Sequence, residues 1–109
     1  MRVFRFVDHS RRAHFRNGAT GPRTLVTYVR YRADLTRPAP LVVFAHGFAL
    51  TPGTYASLLT AWARAGFVVA APAFPVEKAN APGGPDENDL VHEPADIRFV
   101  IGKLLVSLR

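Results

Sequence analysis

The chain contains no cysteine. Disulfides, thiolate metal sites and a cysteine nucleophile are therefore excluded. No apolar run approaches the roughly 18 residues of a membrane span. The basic start, with Arg2, Arg5, Arg11 and Arg12, leads into no apolar core of the kind a secretory signal needs. Neither a signal peptide nor a transmembrane segment is expected, and location stays open. Nine prolines and eight glycines are scattered without period, which excludes collagen-like and low-complexity readings. No repeat, phosphate-binding glycine loop or nucleic-acid motif is visible. What remains is 109 residues, 49% hydrophobic and 20% charged, ordinary for one small folded domain or part of a larger one. A domain of this size buries only about 60–65% of its unfolded surface, so a thin stability margin is expected.

Acidic residues are scarce in the first third. Residues 1–40 hold nine arginines against Asp8 and Asp34, whereas residues 41–109 hold five basic and six acidic residues. The whole basic excess, +6 over the chain, comes from the first 40 residues. Such a face could attract a polyanion. With no accompanying motif it reads as a solvated, arginine-rich strand surface, and nucleic acid is not the expected partner.

Residues 2–7 and 24–32 read as β-strands, rich in β-branched and aromatic residues. Between them lie the turn signals Asn17-Gly18 and Gly21-Pro22. Residues 41–45 form a continuous apolar run, as in a strand buried on both faces. Thr51 and Pro52 open a helix, whose stripe is Tyr55, Leu58, Leu59, Trp62 and Ala63. Gly66 ends it. Residues 67–71 are a second apolar run, closed by Pro72 and Pro75. A polar loop follows over 76–92. Pro94 then opens a second helix, with a stripe of Ile97, Val100, Ile101, Leu104, Leu105 and Leu108. Asp96, Lys103 and Arg109 suit its dipole. A strand-helix-strand crossover places the two apolar runs parallel in one sheet. The expected fold is α/β in a single domain, with basic N-terminal strands over 1–40 and a β-α-β-loop-α unit over 41–109.

The segment with chemical promise is Phe44-Ala45-His46-Gly47-Phe48, where a buried strand ends shortly before a helix begins. Ligands in open α/β sheets bind beyond the carboxyl ends of strands. Gly47 lets a substrate approach the backbone. The N–H of Phe48 could serve as half of an oxyanion hole; a plain strand-to-helix turn is the alternative.

The string from Leu41 through His46-Gly47-Phe48 and the Tyr55 helix to Gly66-Phe-Val-Val-Ala-Ala-Pro72 resembles the α/β-hydrolase superfamily. It is most similar to the branch of dienelactone hydrolases, chlorophyllase-like esterases, polyester hydrolases and platelet-activating-factor acetylhydrolases. Asn88 to Val100 resembles the loop and helix before the nucleophile strand. The likeness covers roughly residues 40–105, and the two N-terminal strands more weakly. It implies the N-terminal portion of that fold: a four-stranded, mostly parallel sheet with two helices, lacking the nucleophile strand. It further implies a serine ester hydrolase, with Phe48 as oxyanion donor and Gly47, Phe48 and Ala49 against the substrate. His46 is out of order for a triad that runs Ser, acid, His, and is expected to be structural. No metal and no cofactor are implied.

The nucleophile should sit in G-x-S-x-G, and Ser10, Ser57 and Ser107 have no such flanks. One such motif is expected about 15–25 residues beyond Arg109. The 109-residue chain alone is therefore expected to lack triad activity. Asp8-His9-Ser10 is a triad on paper only, because strand neighbours alternate faces. His92, Glu93 and Asp96 offer imidazole and carboxylates within one turn, but Pro94 and a helix start explain Glu93 and Asp96 better than a metal does. The acidic run Asp86 to Asp89 lacks the spacing of a calcium loop and is expected to be solvated. Two alternatives to the esterase stand: an interaction domain that pairs or self-associates through the apolar edge at 41–45, and a polyanion-binding module using the N-terminal face.

Overall fold

The computed structural model describes residues 1–35 and 38–108; Arg37 and Arg109, counted among the charges above, lie outside them. Four strands are present: β1 (Arg2–His14), β2 (Thr20–Arg30), β3 (Leu41–Val43) and β4 (Val68–Ala73). Two helices accompany them, α1 (Ala56–Arg64) and α2 (Glu93–Ser107), each preceded by a 3-10 turn, Pro52–Tyr55 and Glu87–His92. The strand order is β1-β2-β4-β3.

β3 and β4 are parallel, as a helical crossover between them requires. The other two pairings, β1 with β2 and β2 with β4, are antiparallel. The sheet is thus mostly antiparallel, not mostly parallel. The cause is local: β1 and β2 are joined by a short hairpin, and a short connection can join only antiparallel neighbours. That hairpin turns at 15–19, where Gly18 has φ 86° and the Phe15 N–H donates to the Ala19 carbonyl. Gly21-Pro22, the other turn signal, lies inside β2. It faces a bulge in β1, where pairing jumps from Asp8 to Arg12, a place where a residue without an N–H is tolerated.

Pro72 likewise lies inside β4, not after it. Its edge of β4 faces the β3 side, and β3 has already ended at Val43. Without an N–H, Pro72 cannot carry the ladder on to Phe44, and regular pairing stops there.

Alternate β4 residues serve opposite faces. Ala70 packs with Leu25, Val29, Val100 and Leu104 under α2; Val69 and Ala71 pack with Leu59 and Ala63 under α1. Leu58 of the α1 stripe is 41% exposed and Leu105 of the α2 stripe 60% exposed. The buried face of each helix is narrower than its apolar spacing predicts. α2 lies over β1 and β2, so it buries the narrow row Asp96, Val100 and Leu104. Gly66 ends α1 at φ 108°, the left-handed closing position that glycine favours.

Candidate functional site

Beyond β3 the Phe44 N–H still bonds the Ala70 carbonyl at 2.8 Å. The next link across to β4 is made by a side chain: the Phe74 N–H donates to His46 Nε2 at 3.0 Å. Nε2 is therefore the acceptor, so Nδ1 carries the proton and donates to the Gly47 carbonyl at 2.9 Å. His46 is 3% exposed. Burial disfavours its charged form and holds it below the ordinary imidazole value. A histidine clamped at both nitrogens is a structural tie.

Residues 47–50 form a tight turn, with the Leu50 N–H on the Gly47 carbonyl at 3.1 Å. Ala49 has φ 63°, the geometry of a type II turn whose third residue is usually glycine. A non-glycine residue there carries strain of about 1–2 kcal/mol. Three contacts hold it. The Ala49 N–H donates to the Glu77 carbonyl at 2.9 Å, the Gly47 N–H donates to Tyr55 Oη at 3.3 Å, and Tyr55 packs on Phe44. A Cβ on Gly47 would stand 3.0 Å from Tyr55 Oη and 3.1 Å from Leu50 Cδ1, so any side chain there would have to displace one or both by a few tenths of an ångström. Among the described residues, no acceptor meets the N–H of Phe48. The Phe48 side chain is 41% exposed.

Beneath this turn lies a charged cluster that the composition hid. Arg23, 1% exposed, donates from Nη1 and Nη2 to Asp89 and from Nε and Nη2 to Asp96, at 2.6–3.1 Å. Arg11 joins Asp96 to Asp8. Burial opposes the charge on Arg23, and the carboxylates of Asp96 and Asp89 overcome it, raising its affinity for the proton. Burial likewise works against Asp8; hydrogen bonds from Ser10 and Arg11 prevail and keep its carboxyl below the usual range. Glu77 completes the cluster. It is fully buried, and a carboxylate oxygen of it lies within 4.8 Å of oxygens of Asp89 and Asp96.

Several expectations change here. The N-terminal arginines are not uniformly solvated: Arg23 is buried and Arg11 half-buried. Asp89 is buried in an ion pair, unlike the rest of the acidic run. Asp96 serves Arg23 and Arg11 more than the helix dipole. Asp8 and Ser10 bond each other directly at 2.6 Å while His9 is exposed, so they form a bulge closure and no triad. Loop 76–92 is not structureless. The Asp86 N–H returns to the Val76 carbonyl, and Gly84 closes on Ala81.

The structure brings His46, Gly47, Phe48 and Ala49 into one turn at the carboxyl end of the parallel pair. Ser57 lies exposed on α1 and Ser107 at the end of α2. A groove of about 400 Å³ lined by Tyr28, Arg30, Thr51, Lys78 and Asn80 lies near the turn, without Gly47, Phe48 or Ala49 in its walls. No helix among the described residues is long and apolar enough to cross a membrane. Comparison with protein-family models, curated proteins and solved structures finds no match.

Proposed function

We propose that this chain supplies half of the oxyanion hole of a serine ester hydrolase, with the Phe48 N–H as donor and the nucleophile, acid and base supplied by chain outside these residues. The observation that carries the reading is a backbone N–H without an acceptor, in a strained turn held from three sides. Strain of this kind persists where surrounding structure over-determines it, and it concentrates at functional sites. A fixed N–H reorganises little when an acyl oxygen becomes negative, and that is the source of its stabilising power. Gly47 and Ala49 would flank the acyl group and the Phe48 ring would face its chain. His46 sets the backbone from behind and takes no proton from a nucleophile.

The test joins residues 1–109 to the segment encoded after Arg109 and assays p-nitrophenyl esters. The 109-residue chain is expected to be inactive and the extended form active. Phe48→Pro, which removes the donor, is expected to lower turnover by about 10²–10³. An extended form that carries G-x-S-x-G yet hydrolyses no ester would defeat the proposal, as would unchanged turnover in a folded Phe48→Pro protein.

A second reading rests on a different observation. β3 is an edge strand without a charged residue, paired on one side. Such an edge invites another strand. On this reading the chain is an interaction domain that pairs through residues 41–45.

A further inference from the structure

The inference concerns Glu77 and is independent of ester hydrolysis. Its side chain is fully buried, and among the described residues neither carboxylate oxygen has a hydrogen-bond donor in reach. Its polar neighbours are acceptors. Asp89 of the 3-10 turn and Asp96 of α2 each bring a carboxylate oxygen within 4.8 Å of one of its own, and Glu93 of α2 adds a further negative charge that disfavours ionisation of Glu77. Behind Asp89 and Asp96 stand Arg23 of β2 and Arg11 of β1. Lys78 follows Glu77 in the chain, and the charges of Glu93 and Lys78 both act on the buried His46.

The charges do not balance. Glu77, Asp89 and Asp96 would bring three negative charges against Arg23 and Arg11, and Arg11 also serves Asp8. An uncompensated buried carboxylate is strongly destabilising unless it takes up a proton. A cation could restore balance, but Arg23 Nη2 lies 2.6 Å from Asp89 Oδ2 and 2.8 Å from Asp96 Oδ2. The guanidinium occupies the ground between those carboxylates. A proton needs no such room, and it turns two repelling acceptors into a donor and an acceptor.

We propose that Glu77 is a neutral carboxylic acid, its proton shared with a neighbouring carboxylate of the Asp89–Asp96 cluster, and that this shared proton ties the segment supporting the Gly47–Leu50 turn to the start of α2. The tie reaches the turn through the Glu77 carbonyl, which holds the Ala49 N–H. Burial and the two neighbouring carboxylates push the Glu77 acid up to about 10 from its ordinary 4.5. A folded value above the unfolded one means that the folded state holds the extra proton. The stabilisation is complete below the unfolded value and is lost as pH rises toward the folded one.

Glu77→Gln keeps a donor of the same shape and cannot ionise. Urea unfolding of both proteins between about pH 5 and pH 9 should show the wild type losing stability relative to the variant, the ratio of unfolding constants changing about tenfold per pH unit. Parallel pH curves would overturn the proposal. So would a melting temperature raised by Ca²⁺, Mg²⁺ or Mn²⁺ in the wild type and not in Glu77→Gln, because a cation would then be the neutralising species. Should the variant not fold, infrared spectroscopy of the wild type at neutral pH decides. A protonated-carboxyl C=O band that bleaches on alkaline titration is expected, and its absence refutes the shared proton.

Discussion

The two ends of α2 are held by opposite physics. At its start Asp96 is fully buried and bound by two arginines from β1 and β2. At its far end Val106 is 66% exposed, and an apolar groove of about 300 Å³ runs past Leu41, Val68, Leu104 and Leu108 beside the open β3 edge. One end is fixed by directional bonds, which tolerate few alternatives. The other is a greasy surface that any apolar partner could cover. The candidate turn at 47–50 lies at the pinned end, where backbone geometry can be kept strained. The open end is where association is expected.

The sharpest way to break this contrast is at Arg23. Arg23→Met keeps the bulk and removes the charge, leaving Asp89 and Asp96 buried without their shared partner. The expected loss is about 3–5 kcal/mol, a large part of the stability of any small domain. Urea unfolding should show it, and hydrogen exchange should rise first at the start of α2. A loss below 1 kcal/mol would mean that the cluster does not pin the helix.

His46 tests the same end through a single tie. His46→Leu leaves the Phe74 N–H buried without an acceptor, for an expected loss of about 1–3 kcal/mol. The pH dependence follows from tautomer geometry. Protonated His46 would turn a second donor toward the Phe74 N–H, which cannot accept. Its folded value lies below the ordinary 6.5, so the contribution is intact above that value and is lost as pH falls through it. Stability measured from neutral pH down to about pH 5 should fall more steeply for the wild type than for His46→Leu.

The open end is probed at Val42, opposite Val69 in the parallel register. Val42→Lys puts a charge on the edge and removes a half-buried side chain, at an expected cost of about 1 kcal/mol. Sedimentation equilibrium should find concentration-dependent association in the wild type and a monomer in the variant. A wild-type chain that stays monomeric at high concentration would end the strand-pairing reading.

Much of the frame was legible because its causes are local. Helical spacing from Leu59 to Ala63, glycine at 66 and an apolar run on either side of the helix required a parallel pair. His46 stands before a glycine at a strand end, but its bonds to Phe74 and Gly47 are a long-range clamp that local spacing does not specify. Arg23 was missed because its partners lie 66 and 73 residues away, and an arginine in a strand normally faces water. A signal did exist. Arg23, Leu25, Thr27 and Val29 alternate along β2, and the same face that buries Leu25 and Val29 buries Arg23. Glu77 announced itself less, as an acidic residue directly after the apolar Phe74-Pro75-Val76. The antiparallel majority of the sheet is implicit in the short β1–β2 link. The mostly parallel sheet was what the α/β-hydrolase likeness implied, whereas the crossover rule concerned the β3–β4 pair alone and holds there.

The smallest effect is expected at a pair that resembles the Arg23 contacts in bond length alone. Arg32 Nη2 lies 2.7 Å from Asp34 Oδ2, nearly the separation of Arg23 from Asp89. The difference is solvent: the Arg32 and Asp34 side chains are 46% and 70% exposed. Hydrogen bonding and attraction from Arg32 draw the Asp34 acid below its ordinary value, but water and salt screen the pair in both states. Asp34→Asn should leave the urea midpoint where it was, at low and at high salt. If it instead destabilises the chain as Arg23→Met does, then burial is not what separates a structural arginine from a decorative one in this fold, and the contrast between the two ends of α2 loses its physical basis.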